Sequence, residues 1–348
     1  MVALILAEKP SVAADLARVL GVSTNNTSHF EGNGLLVSWA VGHLLELKEP
    51  ESYDKKYKTW KMDHLPIIPE EFKTQPKGKR NDTAHLKSVL ELFNRTDVTE
   101  LVNACDAARE GELIFRRIQE YSGSTAPVSR MWMRSMTDSS IQKAWDDRSP
   151  SKDFDTLGDA ARSRAEADWL IGMNGSRAAT LRLRSRGQKG SISIGRVQTP
   201  TLAMLVDKEL EVLSHEPSPY WELEAELSQG EASWRAKWRR TSKGENPQSH
   251  IVEQSELDSL QAELKSGNIE VFMTQKERVE RSPLNFDLTT LQKVANQMWN
   301  MSAKETLDHA QQLYERYKLT TYPRTDSQHL PQDMRNDVDD ILNKLQSQ

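Results

Sequence analysis

The segment Asp106-Ala107-Ala108-Arg109-Glu110-Gly111-Glu112 follows an apolar run, Leu101-Val102-Asn103-Ala104-Cys105, and leads into Leu113-Ile114-Phe115. A strand that ends in carboxylates and turns through glycine into a helix is where α/β sheets place ligand chemistry. Asp106 and Glu110 are residue types suited to a hard cation such as Mg²⁺, which takes one or two carboxylates, several waters and a substrate phosphate. Ala108 stands where a third carboxylate would complete an Asp-x-Asp-x-Glu cluster. The same acidic opening also fits a solvated first turn favoured by the helix dipole.

Three further motifs bear on the choice. Leu6-Ala7-Glu8-Lys9-Pro10-Ser11 closes an apolar run, with Pro10 fit for the start of a helix that Ser11 caps. Its carboxylate and ammonium suit a metal ligand and a proton donor, or simply a surface ion pair. Ser193-Ile194-Gly195-Arg196-Val197-Gln198 precedes Thr199-Pro200, the expected cap and first position of another helix. Arginine, glutamine and free amides at a helix start make a phosphate seat. In Thr321-Tyr322-Pro323-Arg324, the Arg324 fork lies two residues from a phenol and could bind the phosphoryl oxygens that a phenolate would attack. A rim tyrosine is the plainer alternative.

The elements that must position these residues can be read from periodicity. Short β-rich runs at Val2 to Ala7, Leu35 to Ala40, Leu101 to Asp106 and Val128 to Trp132 alternate with helical patterns at Ser11 to Leu20 and Thr83 to Phe93. This predicts an α/β section over 1–136 with a mostly parallel sheet. Helical periodicity takes over in 137–213, centred on Ala160 to Gly172. In 214–282, Trp221 to Leu227 and Ile269 to Phe272 alternate as antiparallel strands do, with an exposed loop at Lys243 to Ser249. The stretch 283–348 is helical again, with Asp287 or Thr289 as one cap and Ser302 as another.

Composition bounds the class. With 28% charged residues and a mean hydropathy of -0.68, the chain has no run approaching a membrane span. The start, Val2 to Ala7, lacks a basic n-region and reads as a strand, so a cytoplasmic location is the default expectation. The single cysteine, Cys105, excludes an internal disulfide and a multi-cysteine zinc site. A net charge of -5 gives no global argument for nucleic acid. Locally, Arg177, Arg182, Arg184, Arg186, Lys189 and Arg196 follow one another without an acidic residue, which fits a phosphate-binding track or a solvated basic helix end.

Taken in this order, the four motifs resemble those of the type IA DNA topoisomerases, in particular the bacterial topoisomerase III branch. Arg130-Met131-Trp132, Arg164 to Arg177 and Pro283-Leu284-Asn285-Phe286-Asp287-Leu288 extend the likeness from Leu4 to at least Leu330. The resemblance implies a multidomain α/β plus α protein. Its parts are an N-terminal Rossmann-like Toprim domain (1–136), a helical DNA-binding domain (137–213), a β-rich arch segment (214–282) and the start of the tyrosine-bearing helical domain (283–348).

The implied function is ATP-independent cleavage and resealing of single-stranded DNA through a 5′-phosphotyrosine, relaxing or decatenating DNA. Tyr322 would be the nucleophile, Lys9 the proton donor to the leaving oxygen and Arg324 the phosphoryl clamp, with Glu8, Asp106 and Glu110 holding Mg²⁺. Ser193, Ile194, Gly195, Arg196, Val197 and Gln198, with Arg164, Asp168 and Arg177, would hold the strand. The expected partner is single-stranded or underwound duplex DNA bound by a monomer, with room for a helicase partner and none for a membrane. The chain holds no Gly-x-x-x-x-Gly-Lys-Ser/Thr loop, in keeping with a reaction that needs no ATP. Ala108 departs from the usual cluster and implies looser metal retention. Gln348 follows soon after Tyr322, so the chain reads as a fragment or truncated product. Two alternatives stay open: another Toprim enzyme such as a nuclease or primase, and a non-catalytic DNA-binding remnant.

Overall fold

The computed structural model describes residues 2–78, 80–133, 136–185, 187, 189–240, 249–265, 270, 272, 275, 277–317, 319–330 and 332–346. Arg186 and the expected loop and strand at Lys243 to Ser249 and Ile269 to Phe272 lie outside them, apart from Ser249, Glu270 and Phe272. The described residues divide into two compact units, Met1–Thr199 with Pro283–Gln348, and Pro200–Ser282. Among them, no helix is long and apolar enough to cross a membrane.

The first unit is built on a seven-stranded sheet. In chain order its strands are β1 (Val2–Ala7), β2 (Thr24–Asn25), β3 (His29–Gly32), β4 (Leu35–Trp39), β7 (Val98–Ala104), β8 (Val128–Arg130) and β9 (Ser149–Pro150). A two-stranded ribbon of β5 (Leu45–Leu47) and β6 (Thr74–Pro76) stands apart from it. Across the sheet the order is β2-β3-β4-β1-β7-β8-β9. The central strands β4, β1, β7 and β8 run parallel, and the edges are closed by antiparallel pairs.

Alternation along β1 sets the two cores. Leu4 and Leu6 face a cluster with Leu86, Val89 and Phe93 of α2 (Arg80–Phe93) and Ile114, Phe115 and Ile118 of α3 (Arg109–Ser122). Ile5 and Ala7 face Val12, Ala13, Leu16 and Ala17 of α1 (Pro10–Val19) and Ile141 and Ala144 of α4 (Asp138–Asp146). Helices therefore cover both faces, which explains why β1 reads as an uninterrupted apolar run. The N-cap of α1 is Lys9, with Pro10 at the first position, so Ser11 lies inside the helix rather than capping it.

The long helix α5 (Asp155–Leu183) packs against α3. It is followed by Ser193 to Gln198 and by α6 (Gln198–Leu213). Helix α6 begins before Thr199, whose hydroxyl instead accepts from the Gly195 amide at 3.0 Å. After Pro283 come α8 (Leu288–Trp299), α9 (Ala303–Glu315) and α10 (Arg335–Gln346). Asp287 caps α8 by accepting from the Thr290 amide at 2.6 Å, and Ser302 with Glu305 forms a full capping box on α9.

The second unit contains the hairpin of β10 (Glu224–Gln229) and β11 (Ala232–Lys237), joined at Gly230, and helix α7 (Gln254–Lys265). The strand expected at Trp221 to Leu227 begins only at Glu224, because Trp221 pairs instead with Ile251 in an isolated bridge.

Candidate active site

Strands β1 and β7 are parallel neighbours in register, with Ala7 opposite Ala104. Glu8 and Asp106 follow at their carboxyl ends, so the sheet itself brings the two carboxylates together. The Asp106 turn is tight: the Ala108 amide donates to the Asp106 carbonyl at 2.8 Å, and Ala108 becomes the N-cap of α3 without a side-chain cap.

A buried polar frame fixes this turn. Arg130 is 1% exposed, and its guanidinium donates to the carbonyls of Asn103, Cys105 and Asp106, each at 2.8 Å, and to that of Met131 at 3.0 Å. Glu112, fully buried, pairs with Arg130 at 3.2 Å and accepts from Arg116 at 2.7 Å and from Asn103 Nδ2 at 3.0 Å. A buried ion of either sign must be compensated in this way, and removing one partner would leave the other stranded.

The electrostatics of the carboxylate pair follow from burial. Glu8 is pushed up to about 7, first by desolvation and then by the neighbouring Asp106 charge, with Lys9 and Arg324 pulling the other way. Glu8 Oε2 and Asp106 Oδ2 are buried and have no hydrogen-bond partner. Two convergent carboxylates with unsatisfied buried oxygens are the donor set a hard divalent cation takes, so the residues present fit Mg²⁺.

Tyr322 completes the centre. Its phenol lies in the field of the Asp106 carboxylate, and its ring stands edge-to-face on the buried Tyr314, with centroids 5.5 Å apart. Burial, and then the charges of Asp106 and Glu8, hold the phenol well above its ordinary pKa, opposed by Arg324. A cavity of about 450 Å³ opens beside it, lined among others by Trp132, Met133, Phe286, Tyr322 and Arg324.

Residues 152–348 match the family model described as DNA topoisomerase, more than half of the chain, and residues 3–135 match that of the Toprim domain. The chain belongs to the type IA DNA topoisomerase family. Within it the chain stands with bacterial topoisomerase III. It is 39% identical to DNA topoisomerase 3 of Shouchella clausii over 345 residues, 99% of this chain and 46% of that protein. To DNA topoisomerase 3 of Bacillus subtilis it is 37% identical over 347 residues, 98% of this chain and 45% of that protein. The chain thus spans about half the length of the curated relatives it matches. The full-length topoisomerase I structure from Thermotoga maritima shares the fold, with a TM-score of 0.63 at 20% identity over 98% of this chain and 52% of that one.

Against this topoisomerase frame, the remaining residues singled out in the sequence fall into three groups. Glu8, Lys9, Asp106, Tyr322 and Arg324 share one centre. Glu110 does not join it: its carboxylate pairs with Arg164 at 3.4 Å, on the wall of a second cavity of about 480 Å³. Accordingly no group of three or more metal-type side chains forms among the described residues.

Ser193 to Gln198 is strapped along α5. The Ile194 amide donates to Ser176 Oγ at 2.9 Å, the Ile192 amide to Thr180 Oγ1 at 2.8 Å, and Arg196 to Asp168 at 2.7 Å. Gly175 permits this approach, since a Cβ there would lie 2.8 Å from Ile194 Cγ2. Ser193, Arg196, Val197 and Gln198 are exposed along the strap. Arg177 turns the other way. It is 5% exposed, donates to the Tyr57 carbonyl at 2.7 Å, lies 3.8 Å from Glu51 and covers the Trp60 ring, with its Nε buried and unpartnered, so the side chain is turned into the protein.

Sequence reasoning missed Arg116, Glu112 and Asn103 and gave Arg130 no role. The available signal was polarity where the pattern wanted apolar residues: Asn103 inside β7, and Glu112 immediately before Leu113-Ile114-Phe115.

Proposed function

We propose that this chain carries the cleavage centre of a bacterial topoisomerase III, opening and resealing single-stranded DNA through a 5′-phosphotyrosine. The observation that carries the reading is Tyr322 and Arg324 on one cavity wall, with the carboxylates of Asp106 and Glu8 acting on the Tyr322 phenol. A phenol held above its ordinary pKa is not a nucleophile until a base takes its proton. In this reading Asp106, whose charge bears most on the phenol, is that base.

In the forward step Tyr322 Oη forms a bond to phosphorus, the bond from phosphorus to O3′ breaks, and the phenolic proton passes to Asp106. Lys9 gives a proton to the departing O3′, and Arg324 bears on the charge of the phosphoryl oxygens. Resealing is the reverse transfer. One phosphodiester replaces another, so no ATP is consumed. Mg²⁺, held by Glu8 and Asp106 and joined by Glu110 if its side chain reorients, would supply charge neutralisation and placement of the strand ends for resealing.

Arg164, Asp168 and the Ser193–Gln198 strap serve the incoming strand in this reading, with single-stranded or underwound DNA as substrate and the cytoplasm as the place of action. We read the chain as a Toprim domain (1–136), a helical DNA-binding domain (137–213), an arch segment (214–282) and part of the tyrosine domain (283–348). Relaxation or decatenation of whole DNA, and work alongside a helicase, belong to the longer protein that the relatives represent.

The test is to incubate the protein with end-labelled single-stranded oligonucleotide, with and without Mg²⁺, and to denature. The expected result is a covalent adduct from the wild type and none from Tyr322→Phe. Cleavage persisting in Tyr322→Phe would overturn the reading in favour of a nuclease.

A further inference from the structure

Four side chains form an ion-pair ladder from the acidic turn to the strap. Glu110 lies 3.4 Å from Arg164, Arg164 Nε 4.0 Å from Asp168, and Asp168 2.7 Å from Arg196 Nε. Two carboxylates balance two guanidiniums, and the end members belong to different jobs: Glu110 sits in the turn of Asp106, and Arg196 on the strap. The side chains of Glu110 and Arg164 are 53% and 43% exposed. Such pairs are weak and exchange partners readily. Both line the cavity of about 480 Å³, whose wall carries the cations Lys77, Arg109 and Arg117 beside the carboxylates of Glu46, Glu49 and Asp168.

We propose that Arg164 withholds Glu110 from the metal centre until a DNA phosphate takes its place. Arg164 is a positioning residue: a phosphate entering the cavity competes for its guanidinium, the ladder opens, and Glu110 swings free to add a third carboxylate to Glu8 and Asp106. DNA and metal then favour each other's binding, and by linkage the effect is reciprocal. The inference rests on the metal reading above and adds its order of events. It accounts for the position of Glu110, which lies in the acidic turn yet apart from the Glu8–Asp106 pair. Because the latch is one exposed ion pair, the coupling is roughly two- to five-fold in affinity.

Mn²⁺ binding to the whole 348-residue chain, carrying Tyr322→Phe so that no strand is cut, is followed by electron paramagnetic resonance with and without saturating oligothymidylate. The expected result is tighter Mn²⁺ binding when DNA is present. Adding Arg164→Met should tighten it without DNA and remove most of the DNA response, and adding Glu110→Gln should abolish that effect of Arg164→Met. Equal tightening by Arg164→Met in the Glu110→Gln background would show only a lost positive charge acting through space and would overturn the latch. An undiminished DNA response in Arg164→Met would do the same. If Mn²⁺ does not bind at all, or binds unchanged after Glu8→Gln, the metal reading itself fails, which is a different outcome from binding without coupling.

Discussion

Gly111 lies so close beneath Asp106 that a Cβ on it would stand 2.2 Å from the Asp106 carbonyl oxygen. The first turn of α3 packs directly against the backbone of Asp106, three residues before the helix begins. Alanine is ordinarily better than glycine in a helix by about 0.5–1 kcal/mol, so the sign of Gly111→Ala separates propensity from packing. We expect a loss of about 1–3 kcal/mol in thermal unfolding, from overpacking, and loss of the covalent DNA adduct as Asp106 is pushed off Tyr322. A stabilised Gly111→Ala protein would contradict the geometry of the turn.

Glu8 makes stability depend on pH in a definite direction. Its folded value, about 7, lies above its ordinary 4.5. The folded chain therefore keeps a proton that the unfolded chain has released between those values. Its favourable contribution is complete below about 4.5 and is lost as pH rises through 7. In metal-free buffer Glu8→Gln should unfold later than the wild type at pH 8, by on the order of 2–3 kcal/mol, with the gap closing toward pH 4.5. Denaturant titrations across this range would show it, and equal stabilities throughout would mean that Glu8 is not desolvated.

Arg177 and Arg196 should differ in the character of their loss. Arg177→Met removes a buried guanidinium with carbonyl, carboxylate and Trp60 contacts, so it should lower the melting temperature and leave the salt dependence of DNA binding unchanged. Arg196→Ala should leave melting nearly unchanged and reduce the slope of log affinity against log salt by about 1. Fluorescence anisotropy of labelled single strands at several salt concentrations measures both.

Ala108 occupies the N-cap of α3 with extended backbone and no capping side chain. Asp is a favoured residue there, so Ala108→Asp should raise stability by about 0.5–2 kcal/mol. It should also tighten Mn²⁺ by adding a carboxylate to the turn. Calorimetry and a metal titration read the two effects separately; a more stable protein with unchanged metal affinity would confine the new carboxylate to capping.

The sheet was legible in the sequence because parallel strands covered on both faces leave uninterrupted apolar runs, as in Val2 to Ala7, whereas the turn after Asp106 runs through Ala107 and Ala108, and Gly111 lies inside α3. Caps with side-chain oxygens at the right spacing, Asp287 and Ser302, could likewise be read. Pro10 was readable too, but Ser11 was not the cap, since the chain turns helical as soon as proline fixes its backbone. Spacing could not tell which way a charged side chain turns. Arg177 lies in the basic run with Arg182 and Arg196 yet is claimed by the Tyr57 carbonyl, which lies far away in sequence. Glu110 is four residues from Asp106 but is drawn to Arg164 on another helix. Those choices depend on tertiary neighbours, and no periodicity in the chain records them.

The parallel pairing of β1 and β7 has a consequence beyond the site it builds. Neighbouring strands are held about 4.8 Å apart by their backbone hydrogen bonds. The ladder, which ends at Ala7 and Ala104, therefore sets the spacing of the strand ends from which Glu8 and Asp106 depart, and the Arg130 frame sets the turn beyond it. Surface segments away from these strand ends and the Arg130 frame are free to vary in length and composition without moving the two carboxylates.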